Sequence, residues 1–257
     1  VLWYGKTSHR LWYHRSLCGR LAPGGLDMRS RLNAFAGVLT LVIAAGAQLA
    51  HADKGQVTHL SGVLSAKKPD GTIRVLAERS EVQTGDVLTS EKNTYANIRF
   101  SDGSQMTMKP ASSVKVEKFA YQQDKPADDS FAVTLLQGGL RLVTGIVGSR
   151  SRAKFEVKTN TATIGIRGTT FNVDDCSAGD VCPSGVEPGI YVGVSNGSVT
   201  LSNAEGRMTL QAGQFSRITR GAAPRGVSNP GLQFTPPPSF LRAASSGPAP
   251  TECTLKR

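Results

Sequence analysis

The chain has 257 residues, with 30 Lys+Arg against 19 Asp+Glu and a formal charge of +11. Removing residues 1–52 takes away six positive charges (Lys6, Arg10, Arg15, Arg20, Arg29, Arg31) and one negative (Asp27), which leaves 24 against 18, or +6. That balance permits attraction to anionic lipid or polysaccharide without demanding it, and is a weak nucleic-acid signal; no nucleic-acid partner is expected, because a protein outside the cytoplasm rarely meets nucleic acid.

Residues 1–27 hold both tryptophans (Trp3, Trp12) without any periodic pattern, and are expected to be a non-native upstream extension. From Met28 the text reads differently. Arg29 and Arg31 precede the apolar run Leu32–Ala50, which ends at Ala50-His51-Ala52. A positive region, an apolar region and an A-x-A site make a secretory signal peptide over 28–52, cleaved after Ala52. The protein is therefore expected in the periplasm. The rival reading is an uncleaved inner-membrane anchor facing the periplasm, since the run is about long enough to span a bilayer, though Gly37, Gly46 and Gln48 weaken it.

From residue 53 to about 220 the sequence alternates with period two. Ala96, Ile98 and Phe100 alternate with polar neighbours. So do Met106 and Met108, Phe131, Val133 and Leu135, Phe155 and Val157, Ile164 and Ile166, and Ile190, Val192 and Val194. One face of each segment then meets a core and the other meets solvent. Turn signals separate the runs: Pro69-Asp70-Gly71, Gly85-Asp86, Asp102-Gly103, Gly138-Gly139, Asn196-Gly197 and Glu205-Gly206. The expected fold class is all-β, a single rolled β-sandwich or β-roll domain of many short strands. Tyr121–Ser130 and Asp174–Gly189 read as longer loops. Residues 221–257 carry seven of the 13 prolines and are expected to be a disordered tail.

Cys176 and Cys182 flank the polar loop Ser-Ala-Gly-Asp-Val, and in an oxidising compartment such a pair closes a small disulfide. A structural zinc site wants four ligands, and His59 is the sole histidine after residue 52, so no metal is expected. Cys253 is left over as a candidate free thiol.

The order of these segments resembles the FecR domain, named for the periplasmic regulator of ferric-citrate uptake signalling. The resemblance runs from about Gly55 to Gln214. It is carried by Gly85-Asp86-Val87-Leu88-Thr89, by Ala96–Ser104, by Leu136-Gln137-Gly138-Gly139-Leu140-Arg141, and above all by Ala162-Thr163-Ile164-Gly165-Ile166-Arg167-Gly168-Thr169-Thr170-Phe171-Asn172-Val173. In signalling members this domain follows a cytoplasmic anti-sigma segment and a membrane helix, and relays the occupancy of an outer-membrane receptor. Nothing ahead of the apolar run matches such a segment. The resemblance thus implies a stand-alone periplasmic FecR-domain protein, a protein-binding sensing or scaffolding module of the envelope. If the apolar run is uncleaved, a membrane-anchored signalling relay is the alternative. Another alternative is a structural or adhesive protein that contacts peptidoglycan or lipopolysaccharide through Lys and Arg, with peripheral membrane contact.

Among candidate binding residues, Gly165, Arg167, Gly168 and Thr169 stand first. Two glycines around an arginine let backbone approach closely and present a guanidinium fork to a carboxylate or phosphate. The competing reading is a β-bulge at a corner of the sheet. Asp86 and Asp102 read as turn caps. Asp174, Asp175 and Asp180, like Asp124, Asp128 and Asp129, read as members of solvated loops, without the spacing of a calcium loop. His59 has no nucleophile set beside it by sequence, and neither a P-loop nor a GxGxxG is present, so no enzyme activity, catalytic residue or cofactor is expected.

Overall fold

The computed structural model describes residues 53–177 and 182–232. The predicted extension and leader, Asp180, and the tail beyond Leu232 with Cys253 lie outside the described residues. Period-two alternation becomes strand almost throughout. The strands are β1 (Gly55–Ser61), β2 (Leu64–Lys67), β3 (Ile73–Leu76), β4 (Glu81–Val82), β5 (Val87–Ser90), β6 (Tyr95–Phe100), β7 (Gln105–Met108) and β8 (Ser113–Ala120). After them come β9 (Ser130–Gln137), β10 (Gly139–Val143), a single helical turn α1 (Ile146–Arg150), β11 (Phe155–Lys158), β12 (Thr163–Asp175) and β13 (Ile190–Ser202). The described chain closes with β14 (Arg207–Gln211), β15 (Phe215–Ile218) and β16 (Arg225–Val227). The expected all-β class is what the structure has. Among the described residues, no helix is long and apolar enough to cross a membrane.

The strands join in one sheet, in the order β3-β2-β5-β8-β9-β11-β12-β10-β7-β6-β1-β4, with β13 along the other side of β12 and carrying β14 and β15, and β16 beyond β15. The two ends of that path, β3 and β4, are neighbours in sequence and are joined by residues 77–80. The sheet must therefore curl back on itself into a half-barrel. Arg74 links the ends without strand pairing, its Nη2 donating to the Glu81 carbonyl at 2.6 Å and to Asp86 Oδ2 at 3.0 Å.

The long hairpin β12–β13 ties the two halves of the curl together. Toward its N-terminus β12 pairs with β11, and toward its C-terminus with β10. Correspondingly, β13 pairs with β15 near its start and with β14 near its end. Between the halves Arg167 faces Ser198 and Thr170 faces Asn196, a shift of register in mid-strand.

Inside the curl lies one apolar cluster from nearly every strand. Phe131 and Phe155 stack with ring centroids 4.2 Å apart, and Phe100 meets Phe131 edge-on at 4.9 Å. Burying such a ring contributes roughly 1.5–3 kcal/mol, so the face of each strand toward this cluster fixes its register.

The boundary predicted at residue 220 requires correction. β16 pairs with β15 through Phe215–Val227 and Arg217–Arg225, and Leu232 is buried with Cys176 and Tyr191 in a second small cluster. Proline richness masked this strand, because Pro224 and Pro230 flank it and leave its ladder donors untouched.

Candidate functional site

The glycine-flanked arginine sits at the bend of the central hairpin. Residues 168 and 169 of β12 face the single residue 197 of β13, which is a β-bulge with a left-handed glycine at its first position: Gly168 has φ +61°. Gly197, opposite, has φ +76°, and a Cβ there would lie 2.4 Å from the Gly168 carbonyl oxygen. Thr169 is buried and exchanges hydrogen bonds with Thr144, its N–H donating to Thr144 Oγ1 at 2.8 Å while the Thr144 N–H donates to its carbonyl at 3.0 Å. The bulge reading thus accounts for both Gly168 and Thr169. Arg167 is exposed and lies opposite Ser198. Gly165 lies between Glu156 of β11 and Thr200 of β13, and its missing Cβ would meet nothing closer than 3.9 Å. Close backbone approach does not explain that glycine.

The acidic residues divide differently from the sequence expectation. Asp102 is a turn cap as expected, its carboxylate accepting from the Ser104 N–H at 2.9 Å and the Ser104 hydroxyl at 2.7 Å. Asp86 is buried and accepts from Arg74 and from the Gln83 N–H. Asp174, Asp175 and Asp129, however, are not solvated loop residues. Asp174 and Asp175 finish β12 and are buried, and Lys109 Nζ lies 2.6 Å from Asp174 Oδ1. Burial pushes the Asp174 carboxyl up, against the pull of Lys109. Asp129 is buried too, gripped by Arg150 through two hydrogen bonds of 2.7 and 2.9 Å and by the Ser151 hydroxyl at 3.0 Å. The Arg150 guanidinium holds that carboxyl below its ordinary value, and the same guanidinium lies 5.0 Å from the Tyr121 ring centroid. For Asp174 and Asp129 the partner is distant in sequence, so no local motif shows it, whereas Asp175 accepts from the nearby Ser177 N–H at 2.9 Å.

Cys176 and Cys182 form the expected disulfide, with Cα atoms 5.4 Å apart. His59 lies on β1 with Nδ1 3.5 Å from Glu78 Oε1. Among the described residues, no three His, Cys, Asp or Glu side chains come together as a metal-holding group.

One surface feature was not singled out from the sequence. β3 is an edge strand, and its outward side chains Ile73 and Val75 are 68% and 73% exposed. The Lys68 N–H donates to the Thr72 carbonyl at 2.8 Å. Since antiparallel pairs alternate, Ala66–Arg74 is then the next hydrogen-bonded pair, and the backbone groups of Ile73 and Val75 point to the open side. The signal was present as an Asp70-Gly71 hairpin turn followed by two β-branched residues at period two.

Residues 86–200 match the model of the family described as FecR protein. That stretch of the chain is similar to a FecR domain. Its match covers the bulge of β12, the β10 turn and most of β13. No curated protein matches the chain. Two crystal structures of a protein from Parabacteroides distasonis ATCC 8503, provisionally assigned as an anti-sigma factor, align with TM-scores of 0.41 and 0.40 at 16% and 14% identity. Each alignment covers 56% of this chain and spans 59% of that protein's length.

Proposed function

We propose that this FecR-domain chain is an exported, non-enzymatic module of the bacterial envelope that senses or scaffolds by binding another protein. The observation that carries the reading is the β3 edge. Natural sheets usually blunt their edges with charge, proline or a covering element. Here two large apolar residues stand outward beside backbone groups that no other described strand pairs, a surface suited to an extended segment that adds as a further strand. The Cys176–Cys182 disulfide supports an oxidising compartment.

The occupant is an extended segment of an envelope protein with apolar residues at alternate positions. Val75→Pro tests this, because the Val75 N–H points away from β2 and its loss leaves the β2–β3 ladder intact. Tagged protein is crosslinked in cells and the co-purifying protein is identified. A near-stoichiometric envelope partner, lost with Val75→Pro while the urea midpoint stays near wild type, is expected. Retention of that partner by the correctly folded variant sinks the edge-strand mode.

A further inference from the structure

On the outer face of the sheet one register row crosses seven strands without a break. Asn97 of β6 pairs with Thr107 of β7, Thr107 with Arg141 of β10, and Arg141 with Asn172 of β12. Asn172 pairs with Gly193 of β13, Gly193 with Phe215 of β15, and Phe215 with Val227 of β16. At the β6 end the row is saturated: the Thr58 hydroxyl donates to Asn97 Oδ1 at 2.8 Å, and Asn97 Nδ2 donates to Thr107 Oγ1 at 2.9 Å. At the β12–β15 end it opens into a cavity of about 490 Å³, lined among others by Arg141, Asn172, Gly193, Ser195, Phe215 and Asn229.

Three features make this a built site. Asn172 is only 8% exposed, and its Oδ1 is buried without a hydrogen-bond partner, a situation that is costly unless a donor arrives. Next to it the Phe215 ring lies over Gly193, where an added Cβ would come 2.5 Å from the ring. That ring is the apolar wall. On the other side stands Arg141, a half-buried guanidinium whose pKa burial pulls below its ordinary value.

We propose that this cavity binds an α-amido carboxylate, the group found at a peptide C-terminus or in a free N-acyl amino acid. The carboxylate meets the Arg141 fork, which is suited to planar oxyanions. The amide N–H, two bonds away from the carboxylate carbon, donates to Asn172 Oδ1, and the substituent lies against Phe215. The spacing fits, since Arg141 and Asn172 are cross-strand partners with Cα atoms about 4.5–5.5 Å apart. A simple inorganic anion could meet Arg141 but has no N–H for the Asn172 oxygen. This site shares no residue with the β3 edge, so either can fail alone.

The test is calorimetric titration of the full chain with N-acetyl-L-phenylalanine and with its C-terminal amide. Saturable binding of the carboxylate is expected, with the amide weaker by about tenfold or more, as loss of a charge-assisted pair implies. Arg141→Gln and Asn172→Leu each weaken binding by about tenfold, and Arg141→Lys keeps part of it. Gly-Gly-Phe separates the two sources: tighter binding than N-acetyl-L-phenylalanine assigns the site to peptide C-termini, and weaker binding assigns it to small N-acyl amino acids. Equal binding of acid and amide, no binding of either carboxylate, or wild-type affinity in Arg141→Gln overturns the proposal. The acid–amide comparison uses the unmodified protein and is independent of any folding defect in the variants.

Discussion

Two glycines face each other across the bend of the central hairpin, and exchanging each for alanine tests whether that bend is a packed corner. At Gly168, φ is +61° and a Cβ would meet nothing within 4 Å. Alanine there meets only the left-handed backbone penalty, roughly 1–2 kcal/mol. At Gly197, φ is +76° and the added Cβ would lie 2.4 Å from the Gly168 carbonyl oxygen and 2.8 Å from the Thr169 methyl. The same backbone penalty applies, and forcing the overlap to relax adds about 1–3 kcal/mol more. Gly197→Ala should therefore destabilise by about 2–5 kcal/mol and exceed Gly168→Ala by at least about 1 kcal/mol. Urea unfolding reads both, provided the slope is unchanged so that midpoints report stability. Equal losses, or a larger loss at Gly168, would refute the packed-corner account and return weight to a ligand-binding role for the Gly165–Thr169 stretch.

Other expectations follow from the ion pair and the disulfide. Because Asp129 is held below its ordinary pKa by Arg150, its contribution is present above the unfolded value and is lost as pH falls through the lowered folded value. Asp129→Asn should accordingly flatten the acid limb of a urea-midpoint profile between about pH 5 and pH 2, and an unchanged limb would contradict the pairing. Reducing Cys176–Cys182, which closes a loop of sequence separation 6, should lower stability by about 2 kcal/mol on loop-entropy grounds. The disulfide packs with Tyr191 and Leu232, so hydrogen exchange in β16 should speed up first. Unaltered protection there would separate the disulfide from the strand.

The strands were legible because alternation reports a half-buried surface directly. Phe131, Val133 and Leu135, or Ile164 and Ile166, sit in the core as the pattern required. Turn glycines were equally plain: Gly71, Gly85, Gly103, Gly138 and Gly197 all take positive φ. Strand order was not readable, since β3 and β4 are consecutive in sequence and stand at opposite ends of the path. Nor were the buried carboxylates. Asp129 and Asp174 look like surface acids until the fold brings Arg150 and Lys109 to them, 21 and 65 residues away. β16 was missed because composition outweighed a three-residue strand. For the candidate sites the division is the same. The bulge was visible in a glycine-flanked arginine, whereas the cavity needed Arg141, Asn172, Gly193 and Phe215 to be set side by side by register.

Site-specific photo-crosslinking in living cells tests the central claim most directly. A photoreactive residue is placed at Val75 on the β3 edge, and in a parallel strain at Thr209 on β14, another edge strand. The account predicts one discrete envelope-protein adduct from position 75 and none of that species from position 209. Adducts of the same partner from both positions, or none from position 75 in a correctly folded protein, would contradict it.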